Sequence, residues 1–286
     1  MTAALELHRW EAGRGGTVLC VHETATSSEV WRPLADALGQ RARTIAYDRR
    51  GWGQSEAPES YLRTTVQEQS EDAARLLASS DAGAAVLCGA GLGAVAALDL
   101  LLRRSDLALG AALIEPPLLA FVEEATELLS EDGGALRQAV DAGGPTAGVA
   151  LVTAMGFDYA PGDMIAALTA EDMGPLDEVV LAYAVTGFGA TRANALSAPA
   201  RERPLSLFAE LAALPSWPLP LAGMDQNQLP ARIVVSPSSP ELLRRSAKKV
   251  AVRLGHAELL ELPGDRPAHL ADPQGLATLI LELLRS

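Results

Sequence analysis

Positive charge, cysteine and long apolar runs are all scarce in this chain. Lys and Arg number 23 against 36 Asp and Glu, a formal charge of −13 and a pI near 4.8. A nucleic-acid partner wants a basic face, and so does binding to an anionic membrane surface; neither partner is expected. No apolar run reaches the ~18 residues of a membrane span, even around residues 98–102. The first residues, Met1-Thr2-Ala3-Ala4-Leu5-Glu6-Leu7-His8, lack a basic region and an apolar core, so the chain is read as cytoplasmic. Cys20 and Cys88 both fall in apolar runs and read as two reduced, buried thiols rather than a disulfide. The four histidines are scattered, and there is no G-x-G-x-x-G dinucleotide signature. Neither a metal nor a cofactor is expected.

What the chain has in quantity is core. At 286 residues and 49% hydrophobic, it suits one large α/β domain with an insertion. Residues 5–8 can form an edge strand. Residues 17–22 are a continuous apolar run, as in a strand buried on both faces. A polar loop follows, then a helix to about residue 38 that Ser27 or Ser28 can cap. Residues 44–48 form a strand ending in the Gly-punctuated Asp48-Arg49-Arg50-Gly51-Trp52-Gly53-Gln54-Ser55. Helical periodicity covers 65–78, and further strands are expected at 84–88 and 111–115. From 118 to 229 the alternation stops and the pattern is largely helical. Beyond it come a strand at 232–236, a helix at 240–254, a strand at 257–262 and a final helix at 273–284. Strands alternating with helices at this spacing predict a doubly wound, mostly parallel sheet. The reading is a core of residues 1–117 and 230–286 with an inserted helical lid at 118–229. Phe157, Tyr159, Tyr183, Phe188, Phe208 and Trp217 of that lid are candidates either to line an apolar pocket or to pack the lid onto the core.

The stretch that organises the rest is residues 86–103. An apolar run ends at Cys88, a tight Gly89-Ala90-Gly91-Leu92-Gly93 turn follows, and a long apolar helix leaves it. Strand, sharp turn and helix have the form of the G-x-S-x-G elbow, whose central residue is exposed on a strained turn. Here the central residue is Gly91, which has no side chain to attack anything.

Four markers, in this order and spacing, resemble the α/β-hydrolase superfamily over nearly the whole chain. They are Val21-His22-Glu23 with Trp31, similar to the His-Gly oxyanion loop and its downstream Trp; the turn at 48–55, similar to D-x-R-G-x-G-x-S; the elbow at 89–93; and Leu262-Pro263-Gly264 with His269 and Pro273, similar to the catalytic-histidine loop. The resemblance implies an α/β-hydrolase fold, a mostly parallel sheet flanked by helices with an inserted helical lid.

It also assigns candidate roles. The family's serine falls on Gly91, so no acyl-enzyme forms there. The usual acid position after the family's seventh strand falls on Ser236-Pro237-Ser238-Ser239, which has no carboxylate. The alternative acid position, at the end of the sixth strand, falls on Glu115. His269 is the candidate general base; a different alignment places Arg266 at the histidine position. Glu23 replaces the usual glycine of the oxyanion loop. It can act as a second acid or base, or turn outward, or pair with Arg49 or Arg50. The Leu92 N–H is a candidate oxyanion donor. Thr24 and Trp52 are placed at the pocket, His22 reads as structural beneath the loop, and Asp48 as the residue that fixes its turn.

The function expected is a tailoring enzyme for a hydrophobic, polyketide-like natural product. It would use non-covalent acid–base chemistry, such as epoxide hydration, cyclisation or rearrangement, and not serine-type ester hydrolysis. The alternative is a non-catalytic small-molecule receptor or chaperone that keeps the pocket. The expected partner is a hydrophobic small molecule, and a homodimer is compatible with the chain.

Overall fold

In the computed structural model the described residues are 5–24, 26–59, 61, 63–122, 217–264 and 267–285, with Gly134, Gln138, Asp141, Ser206, Ala209, Glu210 and Ala213. Seven strands form one sheet: β1 (Arg9–Gly13), β2 (Thr17–Val21), β3 (Arg43–Tyr47), β4 (Ala85–Ala90), β5 (Ala108–Ile114), β6 (Ala231–Val235) and β7 (Ala257–Glu261). Their order is β1-β3-β2-β4-β5-β6-β7. Only β1 runs antiparallel to its neighbour among these pairs. The edge strand therefore lies at Arg9–Gly13 and not at 5–8.

The helices are α1 (Arg32–Leu38), α2 (Val66–Ser79), α3 (Leu92–Arg103), α4 (Leu221–Gln226), α5 (Glu241–Arg253), α6 (Ala268–Ala271) and α7 (Pro273–Leu283). None of the described helices is long and apolar enough to cross a membrane. Residues 28–31, expected as the start of the α1 helix, form a separate 3-10 turn, and neither serine caps it through its side chain. The α2 start is a full capping box: Thr65 accepts from the Glu68 N–H while Glu68 accepts from the Thr65 N–H, satisfying two otherwise orphaned donors.

The central strands are buried on both faces, and their alternate side chains supply two cores. Leu19, Val21, Ile45 and Leu87 face a layer with α2, α3 and α5. Val18, Cys20, Val86 and Cys88 face a layer with α1 and α7. Cys20 and Cys88 are register partners on neighbouring strands, both free and buried. Burial and the neighbouring thiol push the Cys20 thiol pKa up.

From β2 the chain passes to β3 on one side and then to β4 on the other. In a doubly wound sheet such a reversal is the usual place for a ligand, here beyond the carboxyl ends of β2 and β4. The candidate lid at 118–229 lies mostly outside the described residues. Within it, Ser206, Ala209, Glu210 and Ala213 are helical, buried and on one face.

Candidate active site

His22, Glu23, Thr24, Trp52, Gly91, Leu92, Glu115 and His269 each follow a parallel strand, so the topology gathers them at one end of the sheet. His22, Glu23 and Thr24 follow β2. The 48–55 turn follows β3, Gly91 follows β4 and Glu115 follows β5. Ser236 and Ser239 follow β6, and His269 comes after β7.

Gly91 joins β4 to α3 with φ 54° and ψ −126°, in the left-handed half of the map that side chains disfavour. Its N–H donates to the Ile114 carbonyl at 3.0 Å. Gly93 permits the close approach of α3 to β2, because a Cβ there would lie 2.3 Å from the Val21 oxygen. Leu92 is the first residue of α3, so its N–H has no intrahelical partner. Above the turn stands Glu23. A Cβ on residue 91 would lie 3.0 Å from the Glu23 Cβ and 3.7 Å from its Oε2. The structure thus brings the half-buried Glu23 side chain to the space that a side chain on residue 91 would occupy.

The loop carrying Glu23 is held from below. The Nε2 of buried His22 accepts from the Arg49 N–H at 2.9 Å, so Nδ1 carries the proton and faces the Glu23 carbonyl at 2.7 Å. Burial and the Arg49 cation lower the His22 pKa well below its ordinary value. Its ring nitrogens are engaged beneath the loop, at the Arg49 N–H and the Glu23 carbonyl. Asp48 accepts from the Ser28 N–H at 2.7 Å and the Gln54 N–H at 2.8 Å, which fixes the turn.

Arg49 and Arg50 pair with residues other than the sequence candidate Glu23. Arg50 donates to both Asp72 oxygens at 2.6 and 3.0 Å. Arg49 forms a bidentate pair with Glu210, at 2.5 and 3.0 Å, with the two side chains 0% and 1% exposed. Glu210 was not a sequence candidate. It falls with Ser206, Ala209 and Ala213 on one buried helical face, a position that no local sequence signal marks. Glu210 also accepts from the Trp52 indole N–H at 2.7 Å and the Thr24 hydroxyl at 2.9 Å. Trp52, expected at the mouth of a pocket, is instead fully buried. Its large ring finds its polar partner in Glu210.

Trp217, another pocket candidate, is buried beside α3 with its indole N–H on Asp99 at 2.9 Å. It packs into the core beside α3. Tyr183 and Arg266 lie outside the described residues.

Glu115 is buried and has φ 46°, an uncommon conformation for a residue with a side chain. Its N–H donates to the Val234 carbonyl at 2.9 Å, and its Oε1 accepts from the Ser239 hydroxyl. The two alternative acid positions read from the sequence thus meet: the loop without a carboxylate hydrogen-bonds the carboxylate of the neighbouring strand. His269 is in the short helix α6 rather than an irregular loop. It is fully buried, its ring centroid 4.7 Å from that of Trp31.

Residues 16–155 match the family model described as alpha/beta hydrolase fold. This chain has the α/β-hydrolase fold. A thermophilic esterase from Thermogutta terrifontis shares it at a TM-score of 0.73 and 19% identity, covering 100% of this chain and 95% of that one. An enol-lactonase from Burkholderia xenovorans does so at 0.69 and 18%, covering 99% and 97%. In sequence, this α/β-hydrolase-fold chain is 37% identical over 84 residues to a 2-(acetamidomethylene)succinate hydrolase of Mesorhizobium japonicum, 29% of this chain and 30% of the relative. It is 35% identical over 106 residues to an epoxide hydrolase of Caballeronia sordidicola, 37% of this chain and 32% of the relative. The chain thus spans about a third of the length of the curated relatives it matches.

Proposed function

We propose that this chain is a hydrolase-like enzyme of the α/β-hydrolase superfamily acting in the cytoplasm. Its substrate is a small hydrophobic molecule of natural-product or polyketide type, and it works by acid–base chemistry without a covalent enzyme intermediate. The observation that carries the reading is the Glu23 side chain standing against Gly91. In this fold the turn after that strand bears the nucleophile. Here a glycine opens the space, and the carboxylate of the neighbouring loop reaches into it.

Epoxide hydration shows the chemistry such a pair supports. Glu23 takes a proton from water as the water oxygen attacks a ring carbon. The ring C–O bond breaks, the oxyanion forms beside the Leu92 N–H, and Glu23 returns the proton to it. Cyclisation and rearrangement draw on the same base and donor. The alignment with an epoxide hydrolase supports hydration among these. With His269 packed on Trp31, the base role passes from it to Glu23. Glu115, bound by Ser239, is the second carboxylate at the strand ends.

Single-turnover reactions with styrene oxide and trans-stilbene oxide in heavy-oxygen water test this. The expected diol carries the heavy oxygen from the first turnover, and Glu23→Gln lowers kcat about 10²–10⁴-fold, with His269→Ala milder. An unlabelled first-turnover diol, or Glu23→Gln at the wild-type rate, overturns it. A second reading, a non-catalytic small-molecule receptor, is favoured by the absent side chain at Gly91 together with the buried His269. Tight binding of these epoxides without turnover would select it.

A further inference from the structure

We propose that Glu210 is a positioning residue for Glu23, so that seating the insertion's 206–213 face on the core sets the acid–base group of the site. The proposal rests on the reading of Glu23 given above and adds the device that holds it.

Glu23 sits between two anchored neighbours. On one side the Arg49 Nε donates to the His22 carbonyl at 2.8 Å. On the other the Thr24 hydroxyl donates to Glu210 Oε2 at 2.9 Å. The two anchors are one unit, because Arg49 and Glu210 form the buried bidentate pair. The path from His22 through Arg49 and Glu210 to Thr24 closes a ring around residue 23. Glu210 Oε1 takes a further hydrogen bond from Trp52, so both carboxylate oxygens are committed and the carboxylate has a single orientation. A carboxylate so bound transmits the position of its own helix to the loop.

The same segment is fastened at two more points that do not touch the 22–24 loop. The Ser206 hydroxyl donates to the Gly51 carbonyl at 2.7 Å, and the Thr64 N–H to the Ala209 carbonyl at 3.2 Å. Trp217 on Asp99 is a separate attachment of the insertion, beside α3. Glu210 is where the 206–213 segment hydrogen-bonds the 22–24 loop through Thr24, while Ser206 and Ala209 bond elsewhere. Removing the Thr24 link leaves the buried ion pair in place and frees one side of Glu23. This separates positioning from general stability.

The test reads the Glu23 carboxylate directly, by carbon NMR of protein labelled at the glutamate side-chain carboxyl, its resonance assigned by its loss in Glu23→Gln. Thr24→Val is expected to displace that resonance by more than its linewidth. Thr24→Ser, which keeps the hydroxyl, is expected to restore it, and Trp217→Phe to leave it in place. In a Glu210→Gln background, Thr24→Val is expected to add no further displacement, since both act through one contact. A resonance unmoved by Thr24→Val, one moved as far by Trp217→Phe, or additive displacements would overturn the proposal. If Glu210→Gln fails to fold, the Thr24→Val and Thr24→Ser pair decides alone. The readout needs no substrate, so a chain that hydrates no epoxide still tests Glu210.

Discussion

The Ser239 hydroxyl donates to Oε1 of Glu115 across the ends of two neighbouring strands, β6 and β5. Ser239 is itself fixed, because its oxygen accepts from the Ser236 N–H at 2.8 Å. Glu115 holds a positive φ that costs a side-chain-bearing residue roughly 1–2 kcal/mol, and the bond to Ser239 helps to offset it. Ser239→Ala is therefore expected to destabilise the fold by about 1.5–3 kcal/mol, the worth of a buried hydrogen bond to a charged group. Urea unfolding measures it. A change within a few tenths of a kcal/mol would show that Ser239 is not what keeps Glu115 in place.

The Arg49–Glu210 pair makes a second stability prediction. Both side chains are buried, and removing one partner strands a charge without its counter-ion. Glu210→Ala is expected to cost about 3–5 kcal/mol. Replacing both residues by leucine is expected to cost less than the single change, because no charge is then left inside. Thermal and urea melts of the three variants check this. A single-variant loss under about 1 kcal/mol, typical of exposed pairs, would contradict it.

The strands were legible because a strand buried on both faces must be apolar throughout, and residues 17–21 and 85–90 are. The strand, tight turn and helix over 85–103 were legible because the turn's glycines answer to backbone contacts, as Gly93 does to Val21. Glu210 was not legible as a site residue. Its partner Arg49 is 161 positions away, and nothing local marks a carboxylate in a helical pattern as inward-facing with a cation waiting. The packing of His269 was illegible for the opposite reason. A histidine in a Gly- and Pro-rich stretch reads as a catalytic loop, and only the packing of α6 against the 28–31 turn shows its ring on Trp31. Trp52 failed likewise: its sequence neighbours made it a rim residue, whereas its indole N–H found a buried carboxylate.

His22 carries a pH prediction. Its folded pKa is depressed below the ordinary histidine value of ~6.5, first by burial and then by Arg49. Above pH 6.5 the imidazole is neutral in both states and its contribution to stability is fully present. As pH falls below 6.5 the unfolded chain binds a proton that the folded chain refuses. Stability then drops by up to about 1.4 kcal/mol per pH unit until the folded pKa is reached. Denaturation of wild type and His22→Gln between pH 7 and pH 5 should show a steeper loss in the wild type. Equal slopes would mean that His22 is protonated in the folded protein.

Gly91→Ser tests the relation between the turn and the loop above it. At φ 54° a serine carries a backbone cost of roughly 1–2 kcal/mol. Its Cβ would also lie 3.0 Å from the Glu23 Cβ. Rotating the Glu23 side chain cannot relieve that contact, since a Cβ moves only with its backbone, and that backbone is held through His22 and Thr24. Gly91→Ser alone is therefore expected to lower the melting temperature and to give neither a p-nitrophenol burst from p-nitrophenyl acetate nor a fluorophosphonate adduct. The crowding should disappear when residue 23 is trimmed. Gly91→Ser combined with Glu23→Gly should be more stable than the sum of the single changes implies, by about 0.5–3 kcal/mol, the usual coupling of residues in contact. A burst and a labelled peptide from Gly91→Ser alone would show that Glu23 does not block the turn. Strictly additive stabilities would show that it does not touch it.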